Sequence, residues 1–280
     1  MINKRSLRIV KPGLLFTAIV LLALIFLIPF FFVGINSLKS LCDIIRQPLS
    51  LPTTIVAYEN YSNAWKILEF PKIFKNTTFL TFGSAFGILF FSSVNAYWIV
   101  RHPSWYSKLF ETLLIGSLLV PFAVIMIPLV KTLNTIHLTN SLWGGIISYW
   151  GVGMALSTYI MRGAVKAVPI EIEEAAYVDG CNVYQVFFKI VFPLLRPTML
   201  SVFILEVFWI RNDFLLPMVL LNNNKLLTIQ LSINRMFGAY SNKWDIATAG
   251  LVMSIIPILI VYVFLQKRII SGIVSGAIKG

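Results

Sequence analysis

Charge is what this chain has least of. Only 12% of its 280 residues are Asp, Glu, Lys or Arg, and just 11 are acidic, whereas an average soluble chain is about a quarter charged. With 58% hydrophobic residues and a mean hydropathy of +0.84, that scarcity excludes a soluble domain. Histidine and cysteine number two each; the histidines are far apart in sequence and the cysteines form no close pair, so no metal site is expected. No G-x-x-x-x-G-K-[ST] stretch occurs, which excludes binding and splitting ATP through a phosphate loop in this chain. G-x-S-x-G is also absent, and no Ser/His/Asp grouping stands out from the scattered polar residues, so no catalytic residue is assigned. The net charge of +12 does not point to nucleic acid, because the basic residues lie scattered between apolar runs and form no continuous stripe.

What is present is a series of apolar runs. Lys4, Arg5, Arg8 and Lys11 precede an almost unbroken run from Leu14 to Gly34, about the twenty residues a bilayer core requires. The run is long for a signal peptide and no Ala-x-Ala-like site follows it, so it reads as an uncleaved first span with Pro29 as a tolerated kink. Residues 37–75 are polar with Tyr61 and Trp65 among them, as suits a membrane-facing outer segment. Five more spans are expected at 76–100, 109–131, 142–161, 198–221 and 246–266, making one all-α membrane domain of six helices. Gly83 and Gly87 form a GxxxG in the second span, a spacing that permits close helix approach and also arises often by chance.

Six spans put both termini on one side. With the termini inside, the inner segments hold thirteen Lys and Arg and the outer ones eight; the bias is clearest at the N-terminus, so both ends are expected in the cytoplasm. Cys42 and Cys181 then fall on opposite sides, which excludes a disulfide between them.

The longest polar interruption on the inner side is 169–197, PIEIEEAAYVDGCNVYQVFFKIVFPLLRP, with four of the eleven carboxylates. Pro169 suits a first helical position, and Glu171, Glu173 and Glu174 suit a first turn, where the helix dipole favours negative charge. Gly180 ends that helix, and Asn182 with Gln185 forms an N-cap pair for a second one that Pro193 and Pro197 would end. Spacing alone fits a solvated connector on the lipid surface as well as a functional element.

Charge inside a span is costly, which singles out Glu206, Arg211 and Asp213 in the fifth span. Glu206, Trp209 and Asp213 follow i, i+3, i+7 and share a face that could line a polar pathway, while Arg211 points elsewhere. For Arg211 and Asp213 the alternative is an outer-end position from which they reach the interface or pair with loop groups.

Glu174-Ala175-Ala176, Asp179-Gly180, Ile190, Pro193 and Pro197 together resemble the EAA–glycine loop of permease subunits of bacterial ATP-binding-cassette importers, specifically the carbohydrate-uptake type related to the maltose permease G subunit. Glu59-Asn60-Tyr61, Asn76-Thr77, Ala96-Tyr97 with Arg101, Pro121 with Pro128-Leu129, and Gly276 to Gly280 look like further landmarks of that family. The resemblance implies a type I importer permease fold of six transmembrane helices. It also implies a cytoplasmic coupling helix at about 170–179, with Glu173, Glu174, Ala175, Ala176, Asp179 and Gly180 docking on an ATPase.

Further expectations follow from it: a bacterial cell-membrane subunit that is not itself an enzyme, a second permease completing a heterodimer, a cytoplasmic ATPase dimer holding the ATP and magnesium, and an extracytoplasmic solute-binding protein. The solute would be a sugar or oligosaccharide, with Glu206, Trp209, Arg211, Asn212 and Asp213 along its pathway. One departure bears on that solute. Where the family usually has tryptophan directly before the asparagine, this chain has Arg211, with Trp209 two residues earlier, which would suit an acidic sugar or another anion. A secondary transporter would instead need repeat symmetry and buried ion-coupling carboxylates, and a membrane enzyme a convergent catalytic set.

Overall fold

A computed structural model describes residues 12–53, 55–237 and 242–277. The basic cluster at 4–11 and the last three residues of the terminal landmark lie outside them. Regular structure among the described residues is helical throughout, and it forms two compact units.

The first unit takes residues up to Leu68 together with 233–257. It contains α1 (Pro12–Asn36), α2 (Leu41–Arg46), α3 (Ala57–Ile67) and part of the C-terminal helices. From Leu15 to Phe31 the side chains of α1 are exposed. Its exit is tied down by polar bonds: Asn60 donates to the carbonyls of Ser37 and Lys39 at 2.9 and 2.8 Å, and the Tyr61 hydroxyl lies 2.9 Å from Ser37 Oγ. Lys39 is fully buried and donates to the carbonyls of Gln47 and Pro48, satisfying the end of α2 with a charge the helix dipole favours there. Close approach also marks Gly250, where a Cβ would come within 2.7 Å of Leu68 Cδ1.

The second unit is built on three helices: α4 (Phe70–Arg101), α7 (Leu142–Lys166) and α11 (Arg196–Asn212). Its other elements are α5 (Trp105–Ser117), α6 (Phe122–Thr135), α8 (Ile170–Val178), α9 (Val183–Gln185), a π-helical stretch at Val186–Val191, α10 (Phe192–Leu194) and α12 (Leu215–Leu220). The last two helices, α13 (Ile229–Met236) and α14 (Trp244–Ala277), each contribute to both units. The GxxxG is where α7 meets α4. A Cβ on Gly87 would collide with the Trp150 indole and one on Gly83 would lie 2.8 Å from Ile146, while Trp150 Nε1 donates to the Gly83 carbonyl at 3.1 Å. Small residues allow this approach, and the freed space takes an aromatic ring.

Two expected spans are interrupted. The segment expected at 109–131 is divided between α5 and α6, which meet at 110°. Pro121 offers no amide to continue the ladder and disfavours helical backbone at Val120, and residues 118–120 close instead as tight turns. The segment expected at 198–221 stops at Asn212, because Asp213 is extended and its carboxylate takes the amides of Leu215 and Leu216 to start α12. By length and composition, α1 over Leu15–Asn36 and α4 are each able to cross a membrane, and up to four spans result if each of two bent pairs counts as one.

In the polar loop, Pro169 is the N-cap of α8 rather than its first residue, which moves Glu174 into the second turn. The second helix ends between Pro193 and Pro197, as expected. The helical run continues through the π stretch to Leu194, then bends by 73°, and Pro197 stands in the first turn of α11, where a missing amide costs nothing.

Candidate functional site

The α8 loop is held from below by a charge that the helix buries. Glu173 and Ala176 are the inward residues of α8, three apart and therefore on one face. Glu173 is 2% exposed. Its carboxylate pairs with the Arg101 guanidinium at 2.7 Å and accepts the Tyr97 hydroxyl at 2.9 Å. Arg101 closes α4, and its Nη2 also donates to the carbonyls of Val165 and Val168 at 3.3 and 2.8 Å, one in the last turn of α7 and the other just beyond it. The Val165 carbonyl also takes the Val168 amide at 3.1 Å in the tightened last turn. One guanidinium thus joins the ends of α4 and α7 to the base of α8. Around it Tyr97, Met161, Val165, Ala176, Val186 and Phe187 belong to one buried apolar cluster.

The other face of α8 is open. Glu174, Ala175, Asp179 and Gly180 are exposed, and so are the apolar side chains of Ile170, Ile172, Tyr177 and Val178. Gly180 has φ +85°. Its amide bonds to Tyr177 and that of Cys181 to Ala176, both at 3.0 Å, the paired bonds of a Schellman end that glycine closes without strain. Asn182 and Gln185 cap each other reciprocally as expected.

Glu206, Trp209 and Asp213 share the face that their spacing predicts, and it packs on α7. Ser157 donates to Glu206 Oε1 at 2.7 Å, Trp209 meets Tyr149 edge-on at 5.6 Å, and the Tyr149 hydroxyl donates to Asp213 Oδ2 at 2.8 Å. Gly153 makes room, since a Cβ there would approach Glu206 Oε2 at 3.1 Å and the Trp209 ring at 3.2 Å. Glu206 is 4% exposed, and its Oε2 has no hydrogen-bond partner among the described residues. Arg211 is half-buried and Asn212 exposed. The candidates therefore form two groups, the α8 loop and the seam between α11 and α7.

Residues 74–274 match the model of the family described as "binding-protein-dependent transport system inner membrane component". The chain belongs to this family. Membership sets aside the secondary-transporter reading and makes the protein a transport component of the inner membrane. The chain is 34% identical to the probable starch degradation products transport system permease protein AmyC of Thermoanaerobacterium thermosulfurigenes, over 98% of this chain and 99% of that one. It is 33% identical to the multiple sugar-binding transport system permease protein MsmG of Streptococcus mutans, over 91% and 93% of the two chains. A crystal structure of a bacterial ABC transporter that imports the acidic polysaccharide alginate matches with a TM-score of 0.74 at 22% identity, over 91% of this chain and 95% of that one. That likeness concerns the fold.

Tyr97 and Arg101 had no assigned role in the sequence beyond their resemblance to family landmarks. The available signal was an arginine at the end of a span and a glutamate sharing a helix face with an inward alanine. Nothing in spacing pairs residues 72 positions apart.

Proposed function

We propose that this chain is one of two transmembrane subunits of an ATP-driven importer that carries a sugar or oligosaccharide inward across a bacterial cell membrane. In this reading six spans bring both termini and the α8 loop to the cytoplasm. There α8 seats in a cleft on an ATPase dimer, which holds the ATP and magnesium. A second, different permease completes the pathway, and an extracytoplasmic solute-binding protein delivers the solute.

The observation that carries the reading is the two-sided build of α8, with a buried ionic root at Glu173 and an exposed apolar face bearing Glu174 and Ala175. A helix rooted in the ends of α4 and α7 passes on a displacement as a rigid push, where a loose loop would absorb it. ATP binding and hydrolysis in the partner then bias the two subunits between inward-open and outward-open arrangements. Relatives whose names specify starch products or multiple sugars support a carbohydrate as solute. Glu206, Trp209, Arg211, Asn212 and Asp213 are assigned to the pathway, with Glu206 and Asp213 acting through the seam that must rearrange as the subunits rock. Arg211 favours a second reading, in which the solute is an acidic sugar whose carboxylate takes charge-assisted bonds from the guanidinium.

Reconstitution with the ATPase, the second permease and the binding protein tests both readings. Glu174→Lys and Gly180→Pro are expected to abolish solute uptake, through failed assembly or through ATP hydrolysis that no longer drives transport, while the chain still inserts in the membrane. Normal uptake by both variants overturns the docking role. Across a panel of neutral and acidic oligosaccharides, Arg211→Ala reduces uptake of the acidic ones alone if the second reading holds. Unchanged uptake of the native solute removes it.

A further inference from the structure

The segment that follows α1 carries an apolar surface that transport coupling does not use. Helix α3 has three faces. Asn60 and Ala64, four apart, are buried. Glu59, Asn63 and Lys66, at i, i+4 and i+7, are exposed and polar. Between these faces run Tyr58, Tyr61, Ser62 and Trp65, at i, i+3, i+4 and i+7, which with Ala57 line an open groove of about 450 Å³. Tyr58 is 86% and Trp65 52% exposed. The Tyr61 hydroxyl is engaged with Ser37, so that residue offers the groove mainly ring carbon. Ile45, Leu49, Leu51 and Ile55, in the chain leading to α3, are also exposed. Apolar side chains crowded like this on one segment mark a membrane or protein contact rather than a solvated surface.

Depth decides between the two. The apolar run of α1 ends at Asn36, so a membrane-spanning α1 leaves the hydrocarbon there. The buried face of α3 is bonded to that exit: Asn60 to the carbonyls of Ser37 and Lys39, Tyr61 to Ser37, and the Val56 amide to the Leu38 carbonyl at 3.0 Å. These bonds tie α3 to the residues that follow the end of α1, where a spanning α1 would meet the headgroups. Tyr and Trp, with an apolar body and a polar tip, are the side chains enriched at that level. The lining of the groove, almost wholly carbon, lacks the converging polar groups that a sugar ring would require. It suits the upper methylenes of acyl chains, and it belongs to the same unit as the exposed apolar surface of α1.

We infer that α3 lies in the membrane–water interface as an anchor, with Tyr58, Tyr61 and Trp65 set into the headgroup–acyl boundary and Glu59, Asn63 and Lys66 turned to water. A helix of this kind sinks about 5–10 Å below the surface. It fixes the end of α1 in depth and binds lipid rather than solute or solute-binding protein.

Nitroxide labels at Tyr58→Cys, Trp65→Cys and Asn63→Cys, in the full chain with Cys42→Ser and Cys181→Ser, test the inference in phosphatidylglycerol–phosphatidylethanolamine nanodiscs. Collision with oxygen, which partitions into lipid, is compared with collision with a water-soluble nickel chelate. Positions 58 and 65 are expected to meet the chelate several-fold less than position 63 and oxygen several-fold more. Equal chelate access at all three positions overturns the anchor. So does a label at 58 shielded from both reagents, or one shielded from the chelate only after the solute-binding protein is added, since protein would then cover the face. The readout needs no uptake, so it stands or falls separately from the transport reading.

Discussion

Removing either member of the Arg101–Glu173 pair strands the other, because the two side chains are 11% and 3% exposed. An uncompensated buried charge costs about 3–5 kcal/mol, and an apolar replacement of both members costs far less. Arg101→Met and Glu173→Leu are each expected to lower the stability of the purified subunit by that order, with the double variant well short of their sum. Thermal unfolding of the four proteins measures the coupling, and additive losses would mean that the pair does not act as a unit. Glu173 and Glu174 are adjacent and chemically identical, so sequence alone could not say which one is the root. A 100° step around the helix turns one toward Arg101 and leaves the other outside, and only the packing of α8 on α4 and α7 makes that choice.

At the level of elements, close approach of α4 and α7 depends on the absence of side chains at Gly83 and Gly87. Gly87→Leu places a branched side chain where the Trp150 indole lies, and overpacking a tight core costs about 1–3 kcal/mol. A lower unfolding temperature is expected, with partial recovery when Trp150→Ala is added to vacate the space. No recovery would mean that the indole is not what the glycine accommodates. The spacing of the two glycines was legible in the sequence and their partner was not, because a GxxxG does not specify which helix fills it. The interruption at Asp213 was hidden for a similar reason. Hydropathy runs on through Leu221, and only the carboxylate's bonds to two backbone amides and to Tyr149 end one helix and begin another.

For the whole molecule, the transport reading requires the α8 loop to face the cytoplasm. A single cysteine at Ala167, just past the end of α7, is expected to react with an impermeant maleimide in inside-out vesicles and not in intact spheroplasts. Ready labelling from outside would reverse the topology on which docking depends. What the sequence determined by itself is what composition and local chemistry carry: a helical membrane chain, the caps at Gly180 and Asn182, the shared face of Glu206, Trp209 and Asp213, and the family. These follow from periodicity, backbone preference and short motifs, all local to the chain. Tertiary structure alone decided that this shared face packs on α7, that Glu173 is the root of the loop, and that Tyr97 and Arg101 hold it. Each of those outcomes depends on which distant helix ends meet, and on a buried charge finding its partner 72 residues away.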